Sequence, residues 1–159
     1  MIILLNGSIN SGKSTVAKIL KARIGNTAVV EIDTLSEFID WIPLEESIPI
    51  NLENAASVTK NLTKRGINVI LPYPLSKKDY DFLINDFETL NQKIHVVTLS
   101  PELEVALNNR GQRELDDWER DRIKYHYEQG VNCPSFGVII DNSRQTPQET
   151  VNQILDYIK

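Results

Sequence analysis

The stretch that decides the fold is residues 1–15, which read Met-Ile-Ile-Leu-Leu-Asn-Gly-Ser-Ile-Asn-Ser-Gly-Lys-Ser-Thr. Four of its residues match the pattern G-x-x-x-x-G-K-[ST] of a phosphate-binding P-loop with no mismatch; they are Gly7, Gly12, Lys13 and Ser14. An apolar run precedes the motif and predicts a strand, and a helix-forming run follows it from residue 15 to residue 23. This strand, loop and helix order is the context that the motif requires.

The chemistry of these residue types indicates a nucleotide site. Glycines let backbone N–H groups close around a phosphate chain, and the helix that follows adds unpaired donors and the positive end of its dipole. Lys13 can reach the β- and γ-phosphates, and the Ser14 hydroxyl can bind Mg²⁺. We therefore predict that the chain binds ATP with Mg²⁺ through a set of residues from the loop and the helix start, namely Gly7, Ser8, Asn10, Ser11, Gly12, Lys13, Ser14 and Thr15.

Composition excludes several classes of protein. The 159 residues predict a single domain over 1–159, with an ordinary globular content of 41% hydrophobic and 25% charged residues. The formal net charge of −5 argues against a protein that coats nucleic acid. Cys133 is the single cysteine, which excludes an internal disulfide and suits the cytoplasm. No apolar run approaches the roughly 20 residues of a membrane span.

Strand and helix patterns alternate along the whole chain. Five short apolar runs predict strands at 2–6, 28–32, 67–71, 94–99 and 136–140. Helices are expected between them, including one from about 52 to 65, whereas the proline-containing segment 41–50 is expected to be irregular. The alternation predicts an α/β fold, with a mostly parallel sheet covered by helices on both faces. Ligands bind such sheets at the carboxyl ends of the strands.

An acidic residue, Asp33, follows strand 2 at this end of the sheet. Phosphoryl transfer to a hydroxyl requires a carboxylate near the acceptor or the metal, so Asp33 is a candidate base and a candidate Mg²⁺ ligand beside Ser14. It could equally cap the helix that follows. Strand 3 ends in Pro72-Tyr73-Pro74, with no acid of the kind found in switch GTPases and motors. This favours a small kinase.

Several residues are candidates for the acceptor and for charge stabilisation. Arg110 and Arg113 follow strand 4 and could form a short lid that stabilises the transferred phosphoryl group. Arg122 shares a helical face with Leu115, Trp118 and Tyr125, so it could point into the cleft. A salt-bridged surface helix is the alternative for this acidic segment. Further candidates for an acceptor pocket, each of which could instead serve packing, are Phe38, Trp41 and Tyr73.

Together these residues resemble small P-loop kinases of the shikimate kinase, gluconate kinase and chloramphenicol phosphotransferase group. The similarity includes residues 7–14, the segment Ile32-Asp33-Thr34-Leu35, the arginines after strand 4, and residues 138–144 before the last helix. It implies a three-layer P-loop fold with strand order 2-3-1-4-5 and a short lid. It also implies Asp33 as the base toward the acceptor hydroxyl, Arg110 and Arg144 on the nucleotide, and Arg122 near the acceptor.

The chain departs from parts of the group, which leaves the acceptor open. Leu35 stands where shikimate kinases have a second Asp, and Pro72-Tyr73-Pro74 replaces their triple-glycine turn, so shikimate is disfavoured. Residues 122–130 follow the chloramphenicol phosphotransferases only loosely. The leading hypothesis is transfer of the γ-phosphoryl group of ATP to a small-molecule hydroxyl. The alternatives are an ATP-binding regulator without acceptor chemistry and a nucleoside or polynucleotide 5′-hydroxyl kinase. The sequence does not set the oligomeric state.

Overall fold

The structure is a computed structural model that describes residues 1–108 and 114–159. One parallel sheet forms its centre, with the strand order β2-β3-β1-β4-β5. This confirms the α/β fold and the strand order that the resemblance implied. The strands are β1 (Ile2–Gly7), β2 (Thr27–Val29), β3 (Asn68–Pro72), β4 (Ile94–Leu99) and β5 (Val138–Ile140).

Helices cover both faces of the sheet and make the three layers. Two short 3₁₀ helices, Ser36–Ile39 and Glu88–Leu90, accompany them. The α-helices in the described residues are α1 (Lys13–Ile24), α2 (Ile32–Leu35), α3 (Leu44–Thr63), α4 (Lys77–Phe87), α5 (Leu103–Leu107), α6 (Asp117–Glu128) and α7 (Pro147–Ile158). Among them, no helix is both long enough and apolar enough to cross a membrane.

The central strand β1 divides its side chains between two cores, because alternate residues of a strand face opposite sides of the sheet. Ile2 and Leu4 pack in the cluster that α3 and α4 cover, while Ile3 and Leu5 pack in the cluster that α1 and α7 cover. All four are at most 1% exposed. Burial on both faces explains why this strand is a continuous apolar run, and it fixes where the loop after Gly7 emerges.

Two element boundaries differ from the sequence expectation in ways that affect the site. Strand β2 ends at Val29, so Asp33 lies in the short helix α2 rather than directly past a strand. Helix α3 begins at Leu44 and runs through Pro49, whereas the sequence indicated an irregular segment there. Ile48 and Leu52 of α3 pack into the core, and this burial compensates for the backbone hydrogen bond that proline cannot donate.

A buried amide at the end of β1 connects three parts of the fold. The Asn6 Oδ1 atom accepts a hydrogen bond from the Leu75 backbone N–H at 2.8 Å. Its Nδ2 atom donates to the Val131 carbonyl and to Thr98 Oγ1, both at 3.0 Å. The strand that leads into the P-loop is thereby attached to the loop after β3 and to the loop after α6.

Candidate active site

The glycines of the P-loop hold conformations and contacts that other residues would strain. Gly12 has a φ of +97° directly before α1, which is in the left-handed region. Gly7 has a φ of +144°, and a Cβ atom there would lie 2.6 Å from the Leu99 carbonyl oxygen and 2.6 Å from Ser11 Oγ. The backbone of β4 therefore limits position 7 to glycine.

We expect Gly7→Ala to destabilise the fold and weaken ATP binding, because the added methyl group collides with backbone that cannot rotate away. Strain of this type costs roughly 1–3 kcal/mol, which a urea unfolding curve can measure. Gly25→Ala is the matched control, since Gly25 also has a positive φ but a Cβ atom added there would meet no atom within 4 Å. Equal losses of stability in the two variants would contradict the role given to the contact with Leu99.

The Lys13 ammonium group lies against the P-loop backbone. Its Nζ atom donates hydrogen bonds to the carbonyl oxygens of Gly7 at 2.9 Å and Ser8 at 2.8 Å. These bonds place a positive charge at the mouth of the loop. Polyphosphate oxygens can take the place of the two carbonyls, because a lysine ammonium has three donors and a flexible stem.

Side chains from distant segments hold the loop in place. Asn142, which follows β5, donates from Nδ2 to the Ser11 carbonyl at 2.9 Å, and both residues are buried. Asn10 donates to the Ala106 carbonyl at 2.8 Å. Hydrogen bonds of this kind fix a loop in advance of ligand binding, which lowers the entropy cost of holding a phosphate chain.

His126 of α6 contacts the P-loop from the other side. Its Nδ1 atom lies 3.2 Å from Ser8 Oγ, and both residues are buried. Burial, and then the positive charges of Arg122 and Lys13, lower the pKa of His126 to about 4. The imidazole is therefore neutral at pH 7.

This depressed pKa predicts a pH dependence of folding. The unfolded chain binds a proton at His126 near pH 6.5 and the folded chain near pH 4, so stability is fully present above about pH 6.5 and falls as the pH is lowered toward 4. The loss from this group is about 3 kcal/mol. We expect His126→Gln to flatten the free energy of unfolding measured between pH 7 and pH 4. His95→Gln is the comparison at the other histidine, whose pKa burial lowers as well but by less, so it should flatten the curve less than His126→Gln does. A His126→Gln curve with the wild-type slope would contradict the assignment.

Three oxygen-bearing side chains gather where α1 and α2 face each other. Ser14 Oγ donates a hydrogen bond to Glu31 Oε2 at 3.4 Å, and both residues line the same cleft as Asp33. The pKa of Asp33 is raised, mainly because the surrounding protein excludes water; attraction to Lys13 opposes the rise, and repulsion by Glu31 adds to it. The Asp33 side chain nevertheless has an exposed surface, so it stays accessible to a ligand. Hydroxyl and carboxylate oxygens are the donors that Mg²⁺ prefers.

A cleft of about 790 Å³ joins these groups. Its floor is the P-loop, and the sides come from α2, α3, the segment after β3, α6 and the loop after β5. Tyr73, Arg122 and His126 line it together, and burial raises the pKa of the Tyr73 phenol, which therefore stays neutral. Apolar contacts come from Leu44 and Ile48 of α3.

The structure brings together many of the residues that the sequence singled out. Of the candidates for nucleotide, metal and acceptor binding, those in the cleft lining are Asn10, Gly12, Lys13, Ser14, Thr15, Asp33, Tyr73 and Arg122. Gly7, Ser8 and Ser11 lie buried beneath the loop surface. Arg110 and Arg113, and with them the predicted lid, lie outside the described residues.

Other candidates do not reach this cleft among the described residues. Phe38 and Trp41 are 70% and 75% exposed and do not line the cleft. The apolar residues that line it on this side are Leu44 and Ile48. Arg144 is exposed in the turn after β5, and its neighbours Asn142 and Gln145 line the cleft in its place. Phe38 lies in the 3₁₀ helix Ser36–Ile39, where its side chain is exposed to solvent.

Comparison with solved structures shows a shared fold over nearly the whole chain. A sugar kinase from a Janibacter species matches with a TM-score of 0.75 and 17% identity, covering 99% of this chain and 93% of that one. The tunicamycin resistance protein of Deinococcus radiodurans matches with a TM-score of 0.74 and 18% identity, over 99% and 94%. Shikimate kinase from Aquifex aeolicus matches with a TM-score of 0.60 and 19% identity, over 99% and 96%.

The chain thus has the three-layer fold of small P-loop kinases, as the sequence resemblance indicated. No protein-family model and no curated protein sequence matches it. Because the identities to these solved structures are 17%, 18% and 19%, activity has to be argued from the residues in the cleft.

Proposed function

We propose that the protein is an ATP- and Mg²⁺-dependent kinase that transfers the γ-phosphoryl group to a hydroxyl of a small molecule. The observation that carries this proposal is the presence of Lys13 in a complete P-loop and of the Asp33 carboxylate in the lining of the same cleft. A P-loop alone supports nucleotide binding. A carboxylate beside it adds a group that can orient and deprotonate an acceptor.

In the proposed reaction the acceptor oxygen forms a bond to the γ-phosphorus while the bond from that phosphorus to the β–γ bridging oxygen breaks. The electron pair of the broken bond leaves with ADP, and the proton of the acceptor hydroxyl passes to Asp33. The raised pKa of Asp33 makes it a better proton acceptor than an ordinary aspartate. Lys13 stabilises the charge on the phosphate oxygens.

The residues that would hold Mg²⁺ are Ser14 and, on the acidic side of the cleft, Glu31 and Asp33. Their oxygen atoms fit a hard divalent cation. When bound, the ion neutralises charge on the phosphates. Ser14 and Asp33 are the pair that the sequence indicated, and Glu31 joins them because its carboxylate accepts the Ser14 hydrogen bond.

The acceptor would lie between Asp33 and the side of the cleft formed by Tyr73, Arg122 and Ile48. The guanidinium group of Arg122 stacks over the Tyr125 ring, with its carbon 4.8 Å from the ring centroid. This contact restrains a positive charge at the cleft wall. The sequence predicts that Arg110 and Arg113 belong to a lid, and they would add positive charge beside the transferred phosphoryl group.

The experiment that tests this function is transfer of labelled γ-phosphate from ATP–Mg²⁺ to a panel of hydroxyl compounds: sugars, shikimate, nucleosides and chloramphenicol-like antibiotics. Each acceptor that reacts is repeated as its deoxy analogue or methyl ether, which removes the attacked hydroxyl and should abolish transfer. ATP binding is measured in parallel by equilibrium titration.

Two outcomes would contradict the kinase proposal in different ways. Tight ATP binding without transfer to any hydroxyl would favour a nucleotide-binding regulator. Transfer to the 5′-hydroxyl of an oligonucleotide, with strong dependence on salt, would favour a polynucleotide kinase, because binding to nucleic acid releases counterions. The net charge of −5 disfavours this second outcome.

A further inference from the structure

A second cavity of about 680 Å³ lies next to the cleft. The lining comes from residues 73–79 after β3, one face of α6, residues 129–131 and 133–136 between α6 and β5, and Ile48 of α3. The Asn6 side chain holds the first and third segments together through its hydrogen bonds to Leu75 and Val131. The cavity is therefore formed by segments that the buried amide fixes relative to the P-loop strand.

The second cavity and the cleft share part of their walls. The residues common to both linings are Ile48, Tyr73, Pro74, Arg122 and His126. A molecule with its reacting hydroxyl at Asp33 therefore has adjoining space in which to place a second part of its structure. Tyr73 and His126 are buried and uncharged at this junction. Arg122 is its charged member, and the guanidinium is held over the Tyr125 ring.

The lining of the second cavity favours a flat, weakly polar group. Phe136 stacks in parallel on Tyr80, with the ring centroids 3.9 Å apart and the planes 4° apart. Tyr125, on α6, carries the stacked guanidinium of Arg122. These contacts occupy one face of each lining ring, and Tyr80 itself lies outside the lining. Phe136 is half-buried and Tyr125 is exposed, so both keep accessible ring surface on which an aromatic group can pack.

Two charged side chains of this lining already have partners. Lys77 binds both carboxylate oxygens of Asp81 at 2.6 Å. Asp79 accepts hydrogen bonds from the backbone N–H of Ser76 at 3.1 Å and from its hydroxyl at 2.6 Å. At Lys77 and Asp79 a charged ligand group would have to compete with these pairs, whereas an aromatic group leaves them intact; Lys78 and Arg122 are the other charged residues of the lining.

We propose that the second cavity binds an aromatic group of the phosphoryl acceptor, so that the acceptor is a hydroxyl compound with a planar aromatic portion. This inference rests on the proposed function, because it assigns the non-reacting part of the same acceptor. A kinase whose acceptor is a single small polar ring would need only the first cleft. The proposed acceptor occupies the second cavity as well.

The lone cysteine provides a direct test. Cys133 is exposed, lines the second cavity and is the only cysteine of the chain. The intact protein is incubated with one of two disulfide probes, dibenzoylcystamine (the benzoyl probe) or diacetylcystamine (the acetyl probe). The concentration of β-mercaptoethanol is the same for both. The mass of the protein then gives the labelled fraction. We expect the ratio of labelled to free protein to be about tenfold higher for the benzoyl probe.

Variants at Ser135 separate the cavity from the reactivity of the thiol. Ser135 lines the cavity and is exposed, so Ser135→Leu narrows the space without adding an aromatic surface or disturbing the core. We expect this variant to lose the preference for the benzoyl probe and to bind ATP as the wild type does. Ser135→Ala is the matched control and should keep the preference. Equal labelling by both probes in the wild type would overturn the proposal.

A transfer measurement connects the cavity to the acceptor. Protein carrying the benzoyl probe on Cys133 should bind ATP normally but lose about tenfold in kcat/KM toward the acceptor found in the panel, whereas acetyl-labelled protein should keep its activity. Unchanged transfer by benzoyl-labelled protein would overturn the proposal and leave the kinase intact. A clear benzoyl preference in a protein that transfers to no hydroxyl would contradict the kinase and, with it, the assignment of the aromatic group to a phosphoryl acceptor.

Discussion

Lys13→Met is expected to lower phosphoryl transfer by roughly 10²- to 10³-fold, the range found when one preorganised charge-stabilising donor is removed. The ammonium that donates to the Gly7 and Ser8 carbonyls is the cation that would meet the β- and γ-phosphates. Methionine is similar in length and favours helix, so α1 should still form. The measurement is kcat/KM for the panel's acceptor, with thermal unfolding followed in parallel.

Lys18→Met is the matched control for this prediction. Lys18 is exposed on the same helix and outside the cleft lining, so the variant removes the same charge without touching the site. We expect its turnover to stay near that of the wild type. If Lys13→Met and Lys18→Met turned over equally fast, the phosphate-binding role of Lys13 would have to be abandoned.

Asp33→Asn is expected to reduce transfer by roughly 10²- to 10⁴-fold, which is the usual contribution of a positioned general base. ATP binding should persist, because the P-loop donors are unchanged. In the wild type, protonation of Asp33 should produce the acid limb of the pH–rate profile. In the pH profile of kcat/KM for ATP, which reports the protein without bound nucleotide, its raised pKa moves that limb to higher pH than the ordinary value of 3.8 would give, so kcat/KM should fall earlier as the solution is acidified.

Asp40→Asn provides the comparison for Asp33→Asn. Asp40 is also exposed and directly follows the 3₁₀ helix Ser36–Ile39, but it is not in the cleft lining. The control should retain both ATP binding and transfer. An Asp33→Asn variant with wild-type transfer would show that Asp33 is not the base, while equal loss of ATP binding and transfer would point to Mg²⁺ binding as its main task.

Local sequence was sufficient to predict the parts of the site that one segment forms. The P-loop between β1 and α1 is specified by its own glycines and lysine, and the apolar runs specified the five strands and their parallel arrangement. Asp33 could be singled out because it comes shortly after strand β2. Each of these inferences depends on residues that are neighbours in the chain.

The contacts between distant segments could not be predicted in the same way. His126 and Ser8 are separated by 118 positions, and Asn142 and Ser11 by 131. Nothing near His126 in the sequence marks it as a partner of the P-loop, since a histidine among tyrosines is equally suited to a core. Glu31 did carry a signal: it is the single charged residue of the apolar run 28–32, which a buried strand would rarely contain.

The two substrates of the proposed reaction would become thermodynamically dependent on each other if a group in the second cavity changed the contact between His126 and Ser8. The His126 ring contacts Ser8 of the P-loop and also borders the second cavity. An acceptor group that changes the free energy of this contact changes the affinity for ATP, and reciprocity then requires ATP to change the affinity for the acceptor by the same factor. One hydrogen bond, between a helix and a loop distant in sequence, is thus the contact through which such an effect would pass.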